Sequence, residues 1–299
     1  MSIFHGLSAF PITPADEHGR VDTDALTHLL VPILEANVGS VGLLGSTGTY
    51  AYLSRQERQR AVIAAAETIK GKLPLIVGVG VLRTSDAVAL AEDAQAAGAD
   101  ALLLAPVSYT PLTQDEAFAH FRAVAAATDL PLCIYNNPGT THFQFERSLI
   151  QRLADEPNIA SIKMPLPTTG SIPQELADLR KLLPSDFSIG YSGDWGCAEA
   201  LLAGADTWYS VLGGTLPQIA QDLTRAAMSG DREATLKLDG KLAPMWNFFK
   251  EYGSLRVVYS IANQCGLTQA QPPKPILPLG QEAQERVVRT LSNLGVLPS

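Results

Sequence analysis

The feature that most constrains this chain is an alternation. Eight short apolar runs lie at 7–10, 40–44, 75–79, 101–104, 132–135, 159–163, 188–190 and 207–211. Each is followed by a longer helix-like stretch: 24–36, 55–69, 85–97, 113–127, 145–154, 172–183, 196–203 and 217–228. Repeated strand-then-helix patterning calls for parallel strands joined by helical crossovers. The runs are apolar almost throughout, as expected of strands covered on both faces. Eight units point to an α/β fold of the (β/α)8 TIM barrel type, with an open doubly wound sheet as the alternative. Turn glycines of a nucleotide-binding sheet are missing. Gly78-Val79-Gly80 lacks the third glycine, and no GxxxxGK[ST] loop occurs.

Local signals mark several helix ends. Asp22 and Thr23 are placed to cap the first helix, and Ser54 with Glu57 reads as a capping box for the second. Beyond residue 228 the pattern changes. Helices are expected at 232–250 and 254–264, then a proline-rich connection at 271–280, then a last helix at 281–294. The expected organisation is a barrel over 1–228 carrying the active site, and a C-terminal helical appendage over 229–299.

Composition narrows the function. The chain has 299 residues, 46% hydrophobic and 17% charged, enough for a large core. A formal net charge of −8 argues against a nucleic-acid partner, which needs a basic face. No stretch approaches the roughly 18 apolar residues of a membrane span. The opening MSIFHGLSAF has neither a basic segment nor a long apolar one, so no signal peptide is expected. Cys133, Cys197 and Cys265 are far apart and form no CxxC pair. His5, His18, His28, His120 and His142 never fall at ligand spacing on one helix face. A disulfide framework or a metal site is therefore not expected, and the cytoplasm is the expected compartment.

In such a barrel the chemistry sits where the strands end. Strand two is followed by Gly45-Ser46-Thr47-Gly48, strand five by Tyr135-Asn136-Asn137-Pro138-Gly139, strand seven by Ser192-Gly193-Asp194, and strand eight by Gly213-Gly214. Strand six ends on Lys163, the only one of eight lysines at a predicted strand end. Flanked by Ile162 and Met164, a lysine loses hydration, which favours the neutral, nucleophilic amine. Position alone leaves a second reading, in which the lysine tip escapes to solvent at the rim. Tyr135 could shuttle protons beside such an amine, or simply pack. The Gly-Ser-Thr-Gly loop offers hydroxyls and backbone N–H groups suited to a carboxylate, or is an ordinary turn.

Taken together, these motifs resemble the dihydrodipicolinate synthase and N-acetylneuraminate lyase family of class I aldolase-type barrels. Residues 6–13 resemble its first strand and "TP" turn, Gly45–Gly48 its GTTG or GSTG loop, and Tyr135–Pro138 its YNxP motif. Ser161-Ile162-Lys163 resembles the strand with the Schiff-base lysine. Gly266-Leu267 and the proline-rich turn are similar to its ending.

The resemblance implies that Lys163 forms an imine with pyruvate or another 2-oxo acid and that Tyr135 is the general acid/base. Ser46 and Thr47 would hold the carboxylate, with Thr47 also relaying protons to Tyr135. Gly190, Tyr209 and Thr140 are the further substrate-binding candidates. No cofactor and no metal are implied. The family is usually a homotetramer, a dimer of dimers, in which a neighbouring subunit's tyrosine completes the relay. Tyr109 is the candidate here, one residue out of the usual register.

The departures matter as well. Thr140 stands where the synthase carries an arginine that binds the second substrate's carboxylate, so dihydrodipicolinate synthase activity itself is in question unless Arg83 or Arg20 reaches in. Thr49 follows the GSTG loop where the family usually shows glutamate, and Met164-Pro165 follow the lysine where an acidic or polar residue is common. His142, Trp195, Trp208 and Tyr209 are candidate aromatic walls, which would make the distal half of the pocket less charged. The leading expectation is a lyase performing aldol cleavage, condensation or dehydration on a 2-keto-3-deoxy acid. The alternatives are a true synthase, a non-catalytic 2-oxo-acid-binding barrel, and a phosphate-gripping barrel using Gly213-Gly214.

Overall fold

The computed structural model describes residues 3–298. In chain order the elements are β1 (Gly6–Ala9), α1 (Thr23–Glu35), β2 (Ser40–Leu43), α2 (Arg55–Ile69), β3 (Leu75–Gly78), α3 (Thr84–Ala96), β4 (Ala101–Leu104) and α4 (Gln114–Ala125). Then come β5 (Leu132–Tyr135), α5 (Pro138–Thr141), α6 (Arg147–Ala154), β6 (Ile159–Met164), α7 (Ile172–Leu182), β7 (Ser188–Tyr191), α8 (Asp194–Leu202), β8 (Thr207–Ser210) and α9 (Pro217–Met228). The tail holds α10 (Arg232–Tyr252), α11 (Ser254–Gln264) and α12 (Gln281–Asn293).

Every strand pairs in parallel with the next, and β8 closes on β1 from Gly6↔Thr207 to Ala9↔Ser210. Closure rules out the open sheet and makes the fold a (β/α)8 TIM barrel with a C-terminal helical part. Side chains alternate across the wall. Leu132 and Ile134, Ile162 and Met164, and Trp208 face the helices and join the large outer core. Phe10, Ile76, Leu103, Cys133, Tyr135 and Tyr209 form a separate inner cluster. That period of two turns Ser161 and Lys163 into the barrel on β6.

Helix ends follow local chemistry. Asp22 caps α1 by accepting the Ala25 N–H at 2.9 Å. Ser54 caps α2, but the expected box does not close: Glu57 instead accepts the Val21 N–H at 2.7 Å and pairs with Arg60. A complete box forms on α4, between Thr113 and Glu116. Helix α8 starts at Asp194, two residues before the expected Gly196, because Gly193 at φ +89° turns the chain straight out of β7. The tail packs on the barrel through α10 against α8 and α9, with α11 and α12 laid against α10. Among the described residues no helix is long and apolar enough to cross a membrane.

Candidate active site

A cavity of about 540 Å³ opens at the carboxyl ends of the strands. Lys163, Tyr135, Ser46, Thr47, Thr140 and Tyr209 all line it. A larger groove between α1 and α2, about 790 Å³, holds none of the expected residues.

Lys163 is 3% exposed at the cavity floor. Its Nζ lies 3.9 Å from the ring centroid of Phe10, 4.2 Å from that of Tyr135 and 5.5 Å from that of Tyr209. Among the described residues no carboxylate pairs with this nitrogen. Ring faces and an open cavity leave the amine available to an incoming carbonyl carbon. Ladder register brings Tyr135 of β5 and Gly190 of β7 level with Lys163.

The Tyr135 hydroxyl accepts a hydrogen bond from the Asn137 amide at 3.0 Å and meets Ser46 Oγ at 3.3 Å. The loop hydroxyl adjoining Tyr135 is that of Ser46, whereas the resemblance implied a relay through Thr47. Thr47 lines the cavity beside it. The loop turns tightly, with Leu44 at φ +57° and Thr49 at φ +54°. At Gly45 a Cβ would stand 2.6 Å from the Phe10 ring, so glycine is needed for the approach to that ring.

Tyr209 contributes its ring only. Its hydroxyl is held within the barrel by Ser161 Oγ at 3.0 Å and Cys133 Sγ at 3.4 Å, and burial pushes it well above the usual phenol range. Burial likewise pushes the Cys133 thiol up to about 11. Gly190 does not line the cavity. A Cβ there would come within 2.6 Å of the Tyr209 ring and 2.7 Å of the Thr207 carbonyl oxygen, so the residue makes room for Tyr209.

Tyr109 is 94% exposed and stands outside its own chain's cavity. Of the candidate aromatic walls, Trp195 lines the mouth. Trp208 faces outward onto Trp246 of α10, 6.5 Å between centroids, and His142 ends α5 in a left-handed conformation away from the lining. Arg20 and Arg83 are not among the lining residues either.

Of the lining residues given no role from the sequence, three stand out for the contacts they make. Asn137 sits inside the quoted motif, and its amide could have been read as a partner for a tyrosine two residues back. Tyr50 follows the GSTG loop; burial, reinforced by the nearby Tyr135, pushes its hydroxyl up to about 12. Behind Tyr50, the Arg58 guanidinium stacks 5.1 Å from the ring centroid and donates to the Gly78 and Gly80 carbonyls at 3.1 Å each. Asp194 is the third. Its carboxylate accepts from Ser210 Oγ at 2.5 Å and from the Val211 N–H at 3.4 Å, tying α8 to the end of β8. Burial raises its carboxyl to about 6.

A closed parallel barrel with a buried, unpaired lysine beside a hydrogen-bonded tyrosine is the scaffold of a class I aldolase-type lyase. Residues 3–294 match the family profile described as the dihydrodipicolinate synthetase family, and the chain belongs to that family of lyases. It is 32% identical over 287 residues to a 4-hydroxy-tetrahydrodipicolinate synthase of Methylococcus capsulatus, covering 95% of this chain and 97% of that one. A crystal structure of a dihydrodipicolinate synthase from Agrobacterium tumefaciens superposes with a TM-score of 0.97 at 58% identity, covering 98% of each chain. The Thermotoga maritima dihydrodipicolinate synthase superposes at 0.92 with 26% identity, over 99% of this chain and all of that one.

Proposed function

We propose that the protein cleaves or forms 2-keto-3-deoxy acids through an imine between Lys163 and a pyruvate-type 2-oxo acid. The observation that carries the reading is the free Lys163 amine on the floor of a cavity it shares with the Tyr135, Ser46 and Thr47 hydroxyls. The amine adds to the C2 carbonyl carbon. Tyr135 gives its proton to the carbinolamine oxygen, which leaves as water, and the iminium forms. The C3–C4 bonding pair then flows into the iminium, giving an enamine. The C4 hydroxyl loses its proton to the Tyr135 oxygen and becomes the aldehyde carbonyl. Tyr135 next protonates C3, and water returns pyruvate, the free amine and one proton. An iminium stabilises the negative charge developing at C3, so the cleavage requires no metal.

The Ser46 hydroxyl relays protons to Tyr135, while Thr47 and the loop N–H groups hold the C1 carboxylate. The aldehyde partner is neutral and hydroxylated. Thr140, Thr141, Ser192 and Ser254 line the cavity, and among the described lining residues the only lysine, arginine, histidine or acidic side chains are Lys163 and the already engaged Asp194. The names of the relatives favour a second reading, condensation of pyruvate with a carboxylated semialdehyde. Tyr109 and Leu82 are both exposed large apolar side chains; in a homotetramer Tyr109 would complete the neighbour's relay.

The test compares kcat/KM for pyruvate release from 2-keto-3-deoxygluconate with kcat/KM for condensation of pyruvate and aspartate semialdehyde. The proposal expects the first to dominate. Preference for the semialdehyde would establish the synthase reading instead.

A further inference from the structure

We infer that the C-terminal helical region sets acceptor selectivity, through Leu255 and Ile276; this rests on the Lys163 reading of the same cavity. Exposure grades the lining by depth. Lys163 and Tyr209 are 3% and 1% exposed, whereas Tyr52 and Trp195 are 45% and 38% exposed and so stand at the mouth. Leu255, in the first turn of α11, and Ile276, in the proline-rich connection, are half-buried and complete that mouth from outside the barrel.

Their placement is held by the tail's packing. Gly253, at φ +79°, separates α10 from α11 and redirects the chain so that Ser254 and Leu255 reach the cavity. Helix α10 is fixed to the barrel by the Trp246–Trp208 contact, and its Lys250 ammonium lies 5.8 Å from the Trp195 ring centroid. The Ile276 N–H bonds the Pro273 carbonyl at 3.0 Å.

This rim mixes apolar surface with hydroxyls and, among the described residues, offers no lining cation. Lys250 lies over Trp195 and Arg256 donates to the Tyr252 carbonyl, and neither is part of the lining. An acceptor bearing a second carboxylate would lose hydration at the rim without gaining a partner. A neutral acceptor keeps its hydroxyls on Thr140 and Ser254 and lays its C–H surface on Leu255 and Ile276. The selected class is a neutral, hydroxylated or short aliphatic aldehyde.

The experiment measures kcat/KM for aldol addition of pyruvate to D-glyceraldehyde, butanal and succinic semialdehyde. It uses the full-length protein and the variants Leu255→Ala, Ile276→Ala and Leu255→Arg. Borohydride trapping of pyruvate on Lys163 is run alongside each. The wild type should favour both neutral aldehydes over the semialdehyde. Each alanine variant should lower the butanal value about tenfold, the scale of a lost apolar contact. Leu255→Arg should raise the semialdehyde-to-glyceraldehyde ratio about tenfold or more, with trapping unchanged throughout. Ratios that stay within about twofold in the two alanine variants, with trapping intact, overturn the inference and leave the imine reading standing. Loss of trapping in the wild type overturns both.

Discussion

At the floor of the cavity, Lys163, Tyr135 and Tyr209 project from three strands whose heights are set by the β-ladder. At the mouth, Tyr52 comes from the segment after β2, Trp195 from the first turn of α8, and Leu255 and Ile276 from the helical tail. Floor residues are buried, and their positions follow from strand periodicity and barrel closure. Mouth residues are partly exposed and owe their places to contacts between segments far apart in the chain. The same scaffold can thus keep one reaction at its floor while the mouth decides which partner reaches it.

The sharpest way to break this division is at the floor. Lys163→Ala should abolish turnover with every acceptor while leaving the circular dichroism spectrum unchanged; residual lysine-independent activity would contradict the mechanism. Tyr135→Phe should lower kcat by roughly 10²–10⁴ for neutral and charged acceptors alike. A loss confined to one acceptor would place Tyr135 among the selectivity residues. Ser46→Ala should cost kcat about tenfold, one hydrogen bond's worth, whereas Thr47→Val should mainly raise the KM for the 2-oxo acid. Steady-state kinetics showing the reverse split would return the relay to Thr47.

The smallest effect concerns Asp194, which joins the two regions by binding α8 to the end of β8. Burial raises its carboxyl to about 6, against roughly 3.9 in an unfolded chain. Between these values the native state holds a proton that the unfolded chain releases. This residue's contribution therefore favours the fold below about pH 4 and is lost as the pH rises through about 6. Asp194→Asn, which cannot ionise, should gain in Tm relative to wild type as the pH goes from 4 to 7. A constant difference across that range would count against the raised carboxyl.

The barrel was legible because eight apolar runs can be covered on both faces in few ways, and Lys163 because a lysine is conspicuous at the end of such a run. Tyr135 and Ser46 were legible through their motifs. Ser46 adjoins the Tyr135 hydroxyl where the resemblance implied a relay through Thr47, and the turn carries Leu44 and Thr49 in left-handed conformations that neither residue advertises. Tyr209 was named among the candidate walls and its ring lines the cavity, but its hydroxyl is held by Ser161 and Cys133, 48 and 76 residues away in the chain. Gly190, a substrate candidate by resemblance, lies level with Lys163, but the room beside it is filled by Tyr209. Asp194 followed a glycine that hid the helix start, and its partners lie on the next strand. Leu255 and Ile276 carry no local mark of a cavity at all.

The central claim is that one amine does the covalent work. Incubation with pyruvate and borohydride, followed by peptide mapping by mass spectrometry, addresses it directly. The account predicts a single reduced pyruvate adduct on the peptide bearing Lys163, absent from Lys163→Ala. No adduct with pyruvate or with other 2-oxo acids, or an adduct on a different lysine, would contradict it.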